Sequence, residues 1–269
     1  MTAVVLDVAP TARAWPVPVV LGLQEGRRIV LHPLALLGAA ATVAVHLSQG
    51  DNGPREAYDT VIGAPTFFHG VLVFFAAHLV ASRDRRSGTG ELLAPLPAGP
   101  AARVAALCVA ALVPALLCAA WVLVADESNA ARELYAVHPT AWHLAQPPLT
   151  VLGAALLGTM VARLTAVPGV ALLVMVSMVL VNAWLDGKPE TTGLLATYVT
   201  WPEYGTGPGS AWWGIQPGSA PWHVAYLVGL CCMAAAGAFL RDARRTWLVL
   251  LAGAAATAGT VAAGLAQLP

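Results

Sequence analysis

The chain has 269 residues, 58% of them hydrophobic and only 10% charged, with 14 basic and 14 acidic side chains in balance. A water-soluble domain carries about 25% charged residues, so a soluble surface of this size is excluded, and a net charge of zero leaves no footprint for nucleic acid. The bilayer is the solvent that tolerates such a composition. Backbone groups in it must bond internally, so spans are helices or closed barrels, and continuous apolar runs of about twenty residues select helices over the ten-residue alternation of barrel strands.

Residues 1–15 lack an apolar core behind a basic start, so no cleavable signal peptide is expected. Residues 17–30 mix apolar side chains with Gln24, Glu25, Arg27 and Arg28, which reads as an amphipathic helix lying on the inner membrane surface. The chain thus divides into a cytoplasmic N-terminus with this helix, 1–28, and a transmembrane domain, 29–269. Seven apolar runs follow, at 29–47, 65–82, 101–125, 143–164, 167–185, 221–240 and 247–268. The shortest connection, Arg163 to Pro168, predicts a tight hairpin, with Pro168 in the first turn of the new helix, where its missing N–H is harmless.

With the N-terminus in the cytoplasm, only Arg55, Arg132 and Lys188 fall outside, and the other eleven basic residues fall inside. This bias is the positive-inside rule. It supports seven spans, an external C-terminus and a place in a bacterial inner membrane. The expected outer loops are 48–64, 126–142 and 186–220. The last holds Trp201, Trp212 and Trp213, and reads either as an aromatic belt at headgroup level or, over 194–201, as a short interfacial or re-entrant helix over the outer mouth.

Several chemistries are not represented. The only lysine, Lys188, is followed by Pro189, so no P-loop is present, and none of the seven histidines is followed by Glu as a zinc-protease helix requires. Cys108, Cys118, Cys231 and Cys232 all lie in apolar runs, as small hydrophobes do. His69 and His78, nine residues apart, face opposite sides of one helix. His46, His138, His143 and His223 lie near the outer edge and can in principle meet around copper or haem, but i,i+4 ligand spacing is missing, and no metal site is assigned. Asn182 near the outer end of the fifth run either bonds a neighbouring helix or lines a path. No span carries a buried carboxylate or arginine of the kind ion-coupled carriers use as relays, so the energy for any transport is expected from a partner.

The inner loop between the second and third runs reads Arg85-Arg86-Ser87-Gly88-Thr89-Gly90-Glu91-Leu92-Leu93, then Leu96-Pro97. Thr89 can cap a short helix with Glu91 in its first turn, favourable to the helix dipole. Leu92, Leu93 and Leu96 then form an apolar knob, which either docks a protein or dips into the headgroups.

That loop resembles the signature of the type-2 ABC transporter permease family: a charged run, Ser-Gly-Thr, Glu-Leu-Leu and Leu-Pro between the second and third spans. Glu25-Gly26-Arg27-Arg28 with His32-Pro33 is similar to the family's elbow leading into the first span. The matches cover about the first 125 residues. The resemblance implies that Glu91, Leu92, Leu93, Leu96 and Pro97 form a coupling helix seated in a separate ATPase, which Arg27 and Arg28 also touch. It implies a second permease chain, identical or related, two ATPases carrying the ATP and Mg, and no cofactor in this chain. The expected activity is export of a hydrophobic or amphipathic substrate along a dimer interface lined by the first, second and fifth spans. Asn182 would lie on that path, and Trp201, Trp212 and Trp213 in its lid. Family members usually have six spans, so the run 247–268 is a departure. Two rival readings stay open: a membrane anchor or sensor that recruits a cytoplasmic protein through the same loop, and a metal or redox protein using the outer histidines.

Overall fold

A computed structural model describes residues 17–49, 54–87, 99–135, 138–186, 219–243 and 245–267. Every regular element among them is helical. The helices are α1 (Val17–Val30), α2 (Pro33–Ser48), α3 (Pro54–Tyr58), α4 (Val71–Ala81), α5 (Arg83–Arg86), α6 (Pro100–Ala110), α7 (Leu112–Ala131), α8 (Ala141–Leu164), α9 (Val170–Asp186), α10 (Ala220–Phe239) and α11 (Thr246–Ala266). Two π-helical stretches, Asp59–Gly63 and Pro65–Gly70, join α3 to α4.

Five continuous stretches are long and apolar enough to cross a bilayer: Glu56–Ala81, Pro100–Ala131, Ala141–Leu164, Ala220–Phe239 and Thr246–Ala266. A sixth arises if α1 and α2, which meet at 62°, count as one broken span. Large apolar side chains such as Leu116, Leu173 and Leu180 are more than 60% exposed on the outside of the bundle. This pattern is compatible with a membrane-embedded protein. Each of the seven expected runs is helical, but two fall short of crossing length by themselves. The 16 residues of α2 and the 17 of α9 rise only about 24–26 Å at 1.5 Å per residue, against a hydrocarbon core of about 30 Å.

Three expected boundaries are corrected. The first run was expected to begin at Ile29, but Ile29 and Val30 close α1, and the chain bends before Pro33. His32 caps α2, its Nδ1 accepting from the Leu34 N–H at 3.2 Å, and Pro33 supplies the first helical residue. The expected loop 48–64 is largely helical from Pro54, and Ala57, Tyr58, Val61 and Ile62 are fully buried. Glu56, Asp59 and Thr60 interrupt the hydropathy of this stretch, yet two of its polar groups have partners inside the protein. Thr60 Oγ1 donates to Gln49 Oε1 at 2.7 Å, and Asn129 Nδ2 donates to the Ala57 carbonyl at 2.9 Å. Finally, Pro168 sits in the turn ahead of α9, not in its first turn. Gly169 adopts φ +80, a left-handed conformation that suits glycine, before Val170 begins the helix.

Proline accounts for two further irregularities. Pro114 cannot donate to the Ala110 carbonyl, and the third span breaks at Ala111 between α6 and α7. Pro65 has no N–H at the junction of the two π-helical stretches, and beside it the Ala64 N–H bonds five residues back, to Asp59.

The bundle is organised around α8, which packs against α4, α7 and α10. Its core holds Ile29, Tyr58, Val61, Ile62, Val73, Val122 and Val151. α11 lies on α10 alone among its substantial neighbours, and α9 touches α8 and α4 only lightly. α1 does not merely flank the bundle: it lies along α6, with Gly22, Gly26 and Ile29 buried. Two glycines four apart let the backbones approach closely, a small-xxx-small seam.

Candidate functional site

Two poles frame the molecule. At one, arginines from distant segments converge. Arg83 Nη2 lies 3.4 Å from Glu25 Oε1, and Glu25 also pairs with Arg28. Arg85 Nη2 donates to the Thr165 carbonyl at 3.0 Å, and Arg163 reaches Asp242 Oδ2 through both Nη2 and Nε, the latter at 3.2 Å. Burial and then the nearby Arg163 and Arg241 guanidinium groups lower the Arg85 pKa from its ordinary value, and Asp242 opposes them. Asp242 pairs with Arg163 and also acts on Arg85. Replacing Asp242 with alanine is expected to cost about 1–3 kcal/mol, the range for a charge-assisted hydrogen bond, measured as a lower thermal midpoint in detergent. Arg163→Ala is expected to cost less, because Arg85 remains near Asp242.

The other pole is polar with few basic groups. Asn129, His143 and Gln146 are buried there. Tyr58 meets His143 edge to face with ring centroids 5.9 Å apart, His46 meets Trp121 at 5.4 Å, and His223 Nδ1 lies 2.8 Å from Gln267 Oε1. His138 contacts Tyr135, whose phenol is pushed above its ordinary pKa by burial. The four histidines named for a metal thus have four separate partners, and among the described residues no three His, Cys, Asp or Glu side chains are grouped to hold an ion. His69 and His78 have different neighbours: the His69 ring hydrogen-bonds the backbone of Ala35 in α2, and the His78 ring that of Gly158 in α8.

Of the residues singled out in the sequence, Arg27 and Arg28 are exposed near the C-terminal end of α1, at the arginine pole. Glu91, Leu92, Leu93, Leu96 and Pro97, and likewise Trp201, Trp212 and Trp213, lie outside the described residues. In sequence the segment 88–98 falls between α5, whose Arg83 pairs with Glu25 of α1, and α6, on which α1 packs. Asn182 is buried, and its Nδ2 donates to the Met178 carbonyl at 2.8 Å.

Asn182 also lines a cavity of about 520 Å³ between the second span, α8, α9 and α10. The cavity exists because α9 leaves the turn at Gly169 without packing closely on α8. Its other polar lining side chains are Thr66, Thr150 and Tyr226. Met160, Met175, Met178 and Met233 line it too, which are all the methionines of the chain apart from Met1. The π-helical stretch Pro65–Gly70 supplies one wall through Thr66, Phe67 and Gly70. π-helical turns are frequent at functional sites. Among the described residues no charged side chain lines the cavity, and the lining they form suits an apolar body. Sequence reading found Asn182 but missed the methionines. Their confinement to three runs was visible, yet it signals nothing until the fold brings those runs together.

Compared with known protein families, curated proteins and solved structures, the chain matches none.

Proposed function

We propose that this chain is the membrane-spanning subunit of an ABC-type transporter, driven by a separate ATPase that binds ATP and Mg. In this reading seven spans cross a bacterial inner membrane, with the arginine pole in the cytoplasm and the C-terminus outside. Residues 88–98 carry the coupling helix, and α1 is the elbow. What supports the reading most is the loop sequence Ser87-Gly88-Thr89-Gly90-Glu91-Leu92-Leu93 with Leu96-Pro97, set between the second and third spans. The ion pair between Glu25 and Arg83 adds to it, because it ties α1 to the segment that leads into this loop. Elbow and coupling loop then form one cytoplasmic surface, with Arg27 and Arg28 exposed beside it.

Transport follows alternating access. ATP closes the paired ATPases, the coupling helices move, and two permease chains, identical or related, rock apart around a path between them. ATP acts by binding one state better than the other. The path exports a hydrophobic or amphipathic substrate, and the tryptophan-rich loop 186–220, with Trp201, Trp212 and Trp213, is its lid.

Replacing Leu92 and Leu93 together with aspartate is expected to abolish co-purification with the cognate ATPase, since two charges cannot enter an apolar groove. Membrane insertion is expected to be unchanged. Complex formed at the wild-type level would reject the docking role. Complex lost in this variant, with a wild-type assembly that shows no nucleotide-dependent change in substrate access, would favour the anchor reading instead.

A further inference from the structure

The cavity beside α9 has a direction. The second span, α8 and α10 run from the polar pole to the arginine pole, and α9 runs back. On that register Thr150 and Tyr226 precede Met160 and Met233 in their helices, Thr66 precedes Val71, and Asn182 follows Met175. The hydrogen-bonding side chains therefore gather in the half nearer the polar pole. The half nearer the arginines is lined by Val71, Leu157, Ala234 and methionine.

We propose that this cavity holds a neutral single-chain amphiphile, of the acylglycerol or long-chain alcohol class. Its hydrocarbon tail points toward the arginine pole and its hydroxyl head toward Asn182, Thr150 and Tyr226. Four observations fix the occupant. The volume of about 520 Å³ lies within the range of about 300–1,000 Å³ for small-molecule sites. The lining is mostly apolar with its hydrogen-bonding side chains at one end, and three of the four segments that form it, the second span, α8 and α10, are of bilayer-spanning length. Among the described residues none that lines the cavity is charged, so an ionised headgroup would find no counter-charge among them, at large cost. The methionines are flexible and polarisable, which fits a tail of variable conformation.

The residues that line the site all come from one chain, and its occupancy needs no ATPase. Loss of ATPase docking and loss of ligand binding are therefore separate results.

The test uses the full chain in phosphatidylcholine nanodiscs, irradiated with a diazirine-bearing monoacylglycerol, with adducts mapped on peptides. Adducts are expected on Met160, Met175 and Met233 at least about tenfold above lipid-facing Leu116 and Leu173, a ratio equivalent to about 1.4 kcal/mol of preference. Unlabelled monoacylglycerol is expected to compete, and an alkylsulfonate of equal chain length at least about tenfold less well. Ala154→Trp, which fills the cavity from α8, is expected to remove the methionine adducts. Val179→Phe is expected to do the same from α9, which packs more lightly than α8. Leu173→Trp on the lipid face is expected to keep them. Any of four results overturns the proposal: adducts spread evenly over lipid-facing residues, equal competition by the sulfonate, adducts surviving in both filled variants, or cavity methionines cross-linking a second copy of the chain.

Discussion

Gly158→Ala is expected to destabilise the bundle by about 1–3 kcal/mol, the usual cost of overpacking, and Gly158→Val to prevent assembly of α4 on α8. A Cβ at Gly158 would run into the Phe74 carbonyl oxygen, with Phe74 C and His78 N each 3.2 Å away. These are backbone atoms of α4, so no rotamer change relieves the contact, and the two helices must separate. Phe74 is fully buried, and the α4–α8 contact organises the centre of the fold. The measurement is the thermal midpoint in detergent. Gly259→Ala is the control: it faces open space on α11, and alanine there is expected to be neutral or to stabilise by up to about 1 kcal/mol through helix propensity. Equal midpoints for the two alanine variants would show that the close approach at Gly158 is absent.

Gly26→Leu is the second large effect. A Cβ at this position would meet Val113 Cβ at 2.9 Å and the Ala110 carbonyl at 3.0 Å, and one turn earlier Gly22 faces Val109 at 2.7 Å and the Ala106 carbonyl at 2.8 Å. Leucine cannot fit the seam, so α1 is expected to come away from α6 while the rest of the bundle persists. Trypsin added to the arginine side of oriented vesicles is then expected to cut at Arg27 and Arg28 about ten times faster or more, each tenfold being about 1.4 kcal/mol of local opening. If α1 is the elbow of a transporter, the same variant loses ATPase-coupled transport but keeps bilayer insertion. Unchanged cleavage would mean that α1 is held by the membrane surface and not by α6.

The helical class was legible because apolar runs of about twenty residues leave few alternatives in lipid. The bounds 17–30, assigned from the mixture of apolar residues with Gln24, Glu25, Arg27 and Arg28, are those of α1. Its packing was not legible as such. Gly22 and Gly26 were in view, but a seam needs two sides, and the partner lies more than seventy residues away. The stretch 54–64 was misread for a similar reason. Glu56, Asp59 and Thr60 look solvent-bound until Gln49 and Asn129 are known to meet the groups beside them. The cavity was the least legible feature. It arises from how loosely α9 lies on α8, a property of three-dimensional packing that periodicity does not record. Asn182 was noticed because a lone amide in an apolar run has to find a partner.

The hydrogen bond from Asn129 to the Ala57 carbonyl joins residues 72 positions apart. A ribosome adds roughly 5–20 residues per second, so roughly 4–14 s of translation separate the two. During that interval the Ala57 carbonyl lacks the Asn129 amide. If the chain inserts into a membrane as proposed, the second span gains this partner only once the third is made, and the two are expected to settle in lipid as a pair.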